Sequence, residues 1–235
     1  KDYDDLSKLS KETTVYGNLE DNLKPITKNF KNIKLNKSVF SKNKIYINSF
    51  YNHCIKFKFK IIEIHNRPEY LNYLINKKVD AKFIFIFHNN PKKIRGSKTI
   101  KERLQILNNT NKIFFVSKWT MKKFFEGLPF NIKSNCEILY PSIKKPTKLL
   151  KKKKKQIVFT GKLNSSKGFD LFGEAVIKIL DKFSDWNAVI AGNEPREKYN
   201  FNHKNLKTYK WIPHQRILKL YSESSISVVP SKWEE

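Results

Sequence analysis

The sequence predicts an α/β protein made of two parallel-sheet domains facing a cleft. Three observations predict it. Strand-like and helix-like segments alternate from about residue 56 onward. Some strand segments, such as "FIFIF" at Phe83–Phe87, are apolar along their whole length, as strands covered on both faces are. A lysine-rich run interrupts the alternation once, and the rhythm then restarts. The expected division is an N-terminal domain over 1–147, a linker over 148–155 and a C-terminal domain over 156–235.

The first 55 residues carry the weakest pattern. "DYDDLSKLSK" reads as a helix end and "TTVYG" as a strand, followed by a polar stretch rich in Lys and Asn. "IKFKFKIIEI" reads as a strand that alternates and then turns continuously apolar. "RPEYLNYLIN" reads as a helix starting near Pro68, because proline suits a first helical turn. "AKFIFIFH" is a strand, "SKTIKERLQILNN" a helix, "KIFFVS" a strand, "KWTMKKFFEGL" a helix ending at Gly127, and "CEILYPS" a strand.

The run "IKKPTKLLKKKKK" reads as solvated linker, since consecutive lysines repel one another. "QIVFTG" opens the second domain as a strand. "KGFDLFGEAVIKILDKF" is a helix with Phe172, Ala175, Val176, Ile179, Leu180 and Phe183 on one stripe. "WNAVIAG" and "LKTYKWI" are strands, "HQRILKLYSES" a helix and "SISVVPS" a final strand, with Ile226–Val229 as its buried end.

Composition narrows the classes. Hydrophobic residues make up 39% of the 235 and aromatics 14%, enough for a packed core, so wholesale disorder is excluded. Lys and Arg number 48 against 21 Asp and Glu, a formal charge of +27. Such a surface favours anionic partners. The joint richness in Lys, Asn and Ile looks like compositional drift, however. The lysines are spread along the chain rather than gathered on one element, which disfavours nucleic acid as partner. Cys54 and Cys136 have neither metal-ligand nor disulfide-framework spacing, which suits a reducing cytoplasm. No apolar run approaches membrane-helix length.

Ligands of open α/β sheets bind beyond the carboxyl ends of the strands. Gly161 ends a strand and Gly168 opens a helix, with Lys162 and Lys167 flanking the loop between. Free N–H groups and the positive end of a helix dipole hold anionic oxygens there. The corner is either a diphosphate cradle or an ordinary strand–turn–helix corner with solvated lysines; neither a Walker A loop nor G-x-G-x-x-G is present. His65 and His88 follow successive strands and would point into one cleft as base or hydrogen-bond donor. "DYDD" lies on a helix-like start and is not read as a metal site. No metal site is expected.

These residues together resemble the family 4 glycosyltransferases of the GT-B fold, over about residues 56–235. "GKLNSSKG" is similar to the family's G-R-x-x-x-x-K-G. "VIAGNEP", "WIPHQRILKLY" and "VVPSKWEE" stand where the family has its later strand ends and its glutamate-bearing loop. "IEIHNRPEY", "FIFIFHNN" and "IFFVSKWTMKKF" look like the acceptor-side strand ends.

The resemblance implies two Rossmann-like domains, incomplete at both ends, and roles follow residue by residue. It implies a retaining, metal-independent hexosyltransferase with no cofactor, using a nucleotide-sugar donor and a cell-surface glycan or lipid-linked acceptor. Gly161, Lys162 and Lys167 would hold the donor diphosphate and Ile212 would lie where the backbone reads the nucleobase. His65 and Glu235 would serve the reacting centre, Glu235 through the donor sugar's hydroxyls, with His88 on the acceptor side. The enzyme would be cytoplasmic, peripheral on the anionic inner membrane face. Lys162 departs from the family's Arg, keeping charge but losing the planar fork. The partner glutamate expected beyond Glu235 is not in this chain, so the fragment itself is expected to be inactive. Two other readings stay open: a basic nucleic-acid module, and a noncatalytic nucleotide- or sugar-binding protein on the same fold.

Overall fold

The computed structural model describes residues 13–19, 25, 27–35, 41–129, 135–142 and 153–232. The chain divides into two compact units, 1–143 and 144–234. The "DYDD" segment, Glu235 and residues 148–152 of the expected linker lie outside the described residues.

In the first unit, β1 (Val15–Gly17) and β2 (Phe30–Asn32) form a short parallel pair. Helix α1 (Lys42–Phe57) follows. Then come β3 (Ile61–His65), α2 (Pro68–Asn76), β4 (Lys82–Phe87), a 3₁₀ turn at Pro91–Lys93, α3 (Ile100–Asn109), β5 (Lys112–Phe115), α4 (Lys118–Phe125) and β6 (Cys136–Ile138). The sheet runs β3-β4-β5-β6, with every neighbouring pair parallel.

Helix α1 corrects the sequence reading. The alternation from residue 56 predicted a strand, but Lys56 and Phe57 end a helix, and the strand begins only at Ile61. Ser41 caps that helix by accepting from the Lys44 N–H, and Lys58 ends it in the left-handed region at φ 47°. Ile47 and Cys54 are buried and Phe50 and Tyr51 pack beside them, an i, i+3, i+4, i+7 face. The polar residues between them masked that period.

The core of this unit is aromatic. Phe85, Phe87, Phe115 and Phe124 are fully buried, and the Phe87 and Phe115 rings stack at 5.6 Å across neighbouring strands. Edge-tilted contacts of Phe124 with both, each at 5.2 Å, tie α4 to the sheet. Both cysteines are buried and free.

In the second unit, β7 (Lys154–Thr160), a 3₁₀ turn at Ser165–Lys167, α5 (Phe169–Lys182), β8 (Asn187–Ala191), β9 (Leu206–Tyr209), α6 (His214–Glu223) and β10 (Ser224–Ser227) follow in order. The sheet order is β10-β7-β8-β9, again all parallel. Lys154 and Lys155, expected in the linker, are the first residues of β7. The chain crosses from β7 to β8 on one side and returns as β10 on the other. That reversal makes the carboxyl ends of β7 and β10 a topological switch point.

Helix α5 buries Phe169, Phe172, Val176 and Leu180, while Ile179 and Phe183 of the expected stripe are 38% and 47% exposed. From Phe172 onward the buried apolar side chains stand at i and i+4, narrower than the stripe the sequence allowed. The last strand also differs from expectation. It ends at Ser227, Ile226 is 44% exposed and Val229 is 80% exposed. β10 is the edge of the described sheet, so its apolar side chains lack a covering layer there.

Candidate functional site

In each unit, candidate residues stand at the carboxyl ends of strands: β3 and β4 in the first, β7 in the second. In the first unit, His65 is the last residue of β3, in register with Ile86 of β4. His88 follows β4 directly. Asn66, at φ 54°, laces the two strand ends together. Its N–H donates to Ile86 O at 2.9 Å, its Oδ1 accepts from the His88 N–H at 3.2 Å, and its amide donates to Asn89 Oδ1 at 2.8 Å.

That lacing brings the two imidazoles into contact. His65 Nδ1 lies 2.8 Å from His88 Nε2. The ring centroids are 5.1 Å apart and the planes differ by 20°. The N···N distance plus the two ring radii accounts for that whole separation, so the rings meet edge to edge, with one N–H aimed at the other's lone pair. On its other side His65 Nε2 is 2.6 Å from Glu63 Oε1. Sequence reading missed Glu63. The signal was present in principle, since residues two apart on a strand share a face.

The loop after β4 is held firmly. Ser97 Oγ donates to Pro91 O at 2.6 Å. Arg103, almost fully buried, donates to the carbonyls of Lys98 at 2.8 Å and Glu126 at 2.7 Å. The Glu126 carboxylate accepts from Lys123 and Lys92, both at 2.8 Å, and these ammonium groups hold its pKa down at about 2.

In the second unit, the Gly161–Gly168 segment leaves β7, makes the 3₁₀ turn and enters α5. Asn164 caps the turn, its Oδ1 accepting from the Lys167 N–H at 3.1 Å. Gly168 sits at φ 67°, and a Cβ there would stand 2.0 Å from Pro230 O. The chain beyond β10 therefore lies directly on this loop. Lys232 N–H donates to Ser166 O at 3.0 Å, and its ammonium pairs with Asp170 at 2.6 Å. Gly192, just past β8, passes equally close, with a Cβ position 1.7 Å from Gly161 O. Glycine is required at both crossings because any side chain would push the backbones apart.

Lys162 is exposed and Lys167 half-buried, so both expected diphosphate ligands stand at this corner. The Ser165 N–H already donates to a carboxylate oxygen of Glu197 at 2.9 Å, so the loop presents an amide suited to an anionic oxygen. Glu194, also missed by sequence reading, is buried beside the corner. Arg196 holds it through Nε–Oε1 at 2.7 Å and a terminal nitrogen to Oε2 at 2.8 Å. Chiefly this guanidinium, with a further pull from Lys162, lowers its pKa to about 2.

Ile212 is buried between β9 and α6, next to the 74% exposed Trp211. Glu235 lies outside the described residues. Among the described residues no group of three or more His, Cys, Asp or Glu is placed to hold a metal ion, and no helix is long and apolar enough to cross a membrane.

Residues 142–235 match the family model described as "Glycosyl transferases group 1". A search of curated protein sequences finds no match. Among solved structures, the chain is similar to a glycosyltransferase from Rickettsia africae ESF-5, with TM-score 0.63 and 19% identity. That likeness covers 88% of this chain and 61% of the other. It is similar to Anabaena Alr3699/HepE in complex with UDP-glucose, with TM-score 0.60, 9% identity and the same two coverages, 88% and 61%. It also resembles a mutant of S. aureus TarM in complex with Fondaparinux, alpha-GlcNAc-glycerol and UDP. There the TM-score is 0.59 and the identity 13%, over 80% of this chain and 41% of that one. The chain thus spans two fifths to three fifths of these structures. At such identities the likeness is one of fold, and the fold is that of the GT-B glycosyltransferases.

Proposed function

We propose that this chain is part of a retaining glycosyltransferase that moves a hexose from a nucleotide-sugar to a glycan or lipid-linked acceptor. The observation that carries the reading is the Gly161–Gly168 corner. It combines two lysines and the start of α5 at a topological switch point, inside the segment that matches the glycosyltransferase family model. UDP-glucose bound to the structurally similar Anabaena protein supports a uridine nucleotide-sugar as the first donor to try.

In this reading Lys162 and Lys167 neutralise the charge that develops on the departing diphosphate. Ile212 lies by the nucleobase, and Glu235 holds the donor sugar's hydroxyls. His65 and His88 orient the acceptor hydroxyl. No metal or cofactor takes part, and the protein works in the cytoplasm, docked on an anionic membrane face.

The test is a screen of nucleotide-sugars against the full-length protein, with the anomeric configuration of the product read by NMR. Expected are one preferred donor, a retained anomer and turnover that survives chelation by EDTA. His65→Ala should keep donor affinity and lose turnover by about a hundredfold. No donor bound by the full-length protein would overturn the reading, and unchanged turnover in His65→Ala would remove that residue from the site.

A further inference from the structure

We propose that Glu63 is the positioning residue of the histidine pair, fixing the tautomer of His65 and through it the hydrogen that His88 offers. The inference deepens the transferase reading of this site and rests on it for its catalytic consequence.

Two contacts carry it. His65 Nε2 and Glu63 Oε1 are 2.6 Å apart, and His65 Nδ1 and His88 Nε2 are 2.8 Å apart. The near-coplanar, edge-to-edge rings align the second contact as a linear hydrogen bond. An ionised carboxylate only accepts, so the hydrogen between Glu63 and His65 belongs to Nε2. Neutral His65 then has a bare Nδ1, which can only accept. The hydrogen in the second bond must come from His88 Nε2. The order Glu63, His65, His88 therefore has one direction of donation, set from the Glu63 end.

The backbone holds the three groups in this order. Glu63 and His65 lie on one face of β3. The Asn66 bonds clamp the start of the loop after β4 and hold His88 against its neighbour. If an additional proton arrives at the pair, the same carboxylate faces the resulting imidazolium, as the acid of an acid–histidine pair does. Without Glu63 the carboxylate that accepts from Nε2 is lost, and with it the group that sets the sense of the second hydrogen bond.

The experiment measures the tautomer directly and then the catalytic consequence. In histidine-labelled full-length protein, long-range ¹H–¹⁵N correlation should show neutral His65 protonated on Nε2 and His88 also protonated on Nε2. Glu63→Leu should give a mixture of tautomers at His65, while Glu63→Gln, which keeps an acceptor oxygen, should largely restore the single form. With the preferred donor, Glu63→Leu should lower kcat about tenfold or more and leave the donor KM unchanged. A His65 tautomer unaltered in Glu63→Leu overturns the positioning role while leaving the transferase reading intact. A tautomer that shifts as expected in a protein that binds no nucleotide-sugar keeps the positioning role and sinks the transferase reading instead. An equal fall in stability and activity in both variants, with the tautomer unmoved, would mark Glu63 as structural only.

Discussion

Glu194 is a buried carboxylate beside an exposed arginine, and its titration is the most informative single-residue property of the second unit. The Arg196 guanidinium lowers its pKa from 4.5 to about 2. A depressed folded-state pKa means the pair's contribution is fully present above the unfolded value. It is lost as pH falls from about 4.5 through about 2. The second unit should therefore lose stability across that window, and Glu194→Gln should flatten the loss there while changing little near neutrality beyond a constant offset. Urea unfolding of both proteins at a series of pH values checks this. Parallel profiles would show that Arg196 does not hold the carboxylate. At this scale the sequence exposed some of the site and hid the rest. His65, His88, Lys162 and Lys167 were legible because each stands at a strand end or helix start, which the alternation locates. Glu194 was not, because its role depends on the turn that brings Arg196 back onto it, whereas Glu63 was missed although its two-residue spacing from His65 on one strand already put both on one face.

The elements were legible where their period was unmixed. α5 carries an apolar i, i+4 line and β4 a continuous apolar run, and both stand where expected. α1 was not legible, because lysines and asparagines fill the gaps in its apolar face and the local "IKFKFK" pattern has a strand's period. β10 was legible as a strand but not as an exposed edge, since exposure is a property of its neighbours. The contact between the end of β10 and the start of α5 could not be read at all, and it yields a prediction at this scale. Gly168→Ala places a methyl group 2.0 Å from Pro230 O and forces an alanine to φ 67°. The left-handed conformation alone costs about 1–2 kcal/mol, and moving the Pro230–Lys232 segment adds to it. Urea denaturation followed by tryptophan fluorescence should show a loss of about 2 kcal/mol or more. Donor affinity should fall as well, because the same shift displaces Ser166 and Lys167. A stability within about 0.5 kcal/mol of the parent chain would mean the crossing is looser than its geometry implies.

For the whole molecule the governing quantity is charge, and its distribution decides how the protein meets anionic surfaces. The formal charge is +27, and among the described residues no lysine is buried. Many of the acids are already answered by a base: Glu126 by Lys92 and Lys123, Glu223 by Lys154, Asp170 by Lys232, Glu194 by Arg196. The described lysines, which outnumber the described acids, therefore face solvent on both units. A spread surplus and a built anion site make opposite predictions. Each lysine near an anionic bilayer contributes about 1 kcal/mol at most, and the attraction fades within a Debye length, about 10 Å at 0.1 M salt and about 3 Å at 1 M. Full-length protein should co-sediment with vesicles rich in phosphatidylglycerol at low salt and be released as salt rises toward 1 M. It should ignore pure phosphatidylcholine vesicles, and no single lysine-to-alanine change should abolish binding. One lysine whose loss abolishes binding would reveal a focused site in place of a diffuse field. Binding to neutral vesicles alone would sink the electrostatic account. Duplex DNA added as competitor separates the remaining alternative. A diffuse field yields to DNA in proportion to charge, whereas a nucleic-acid module would bind DNA at salt concentrations that release the vesicles.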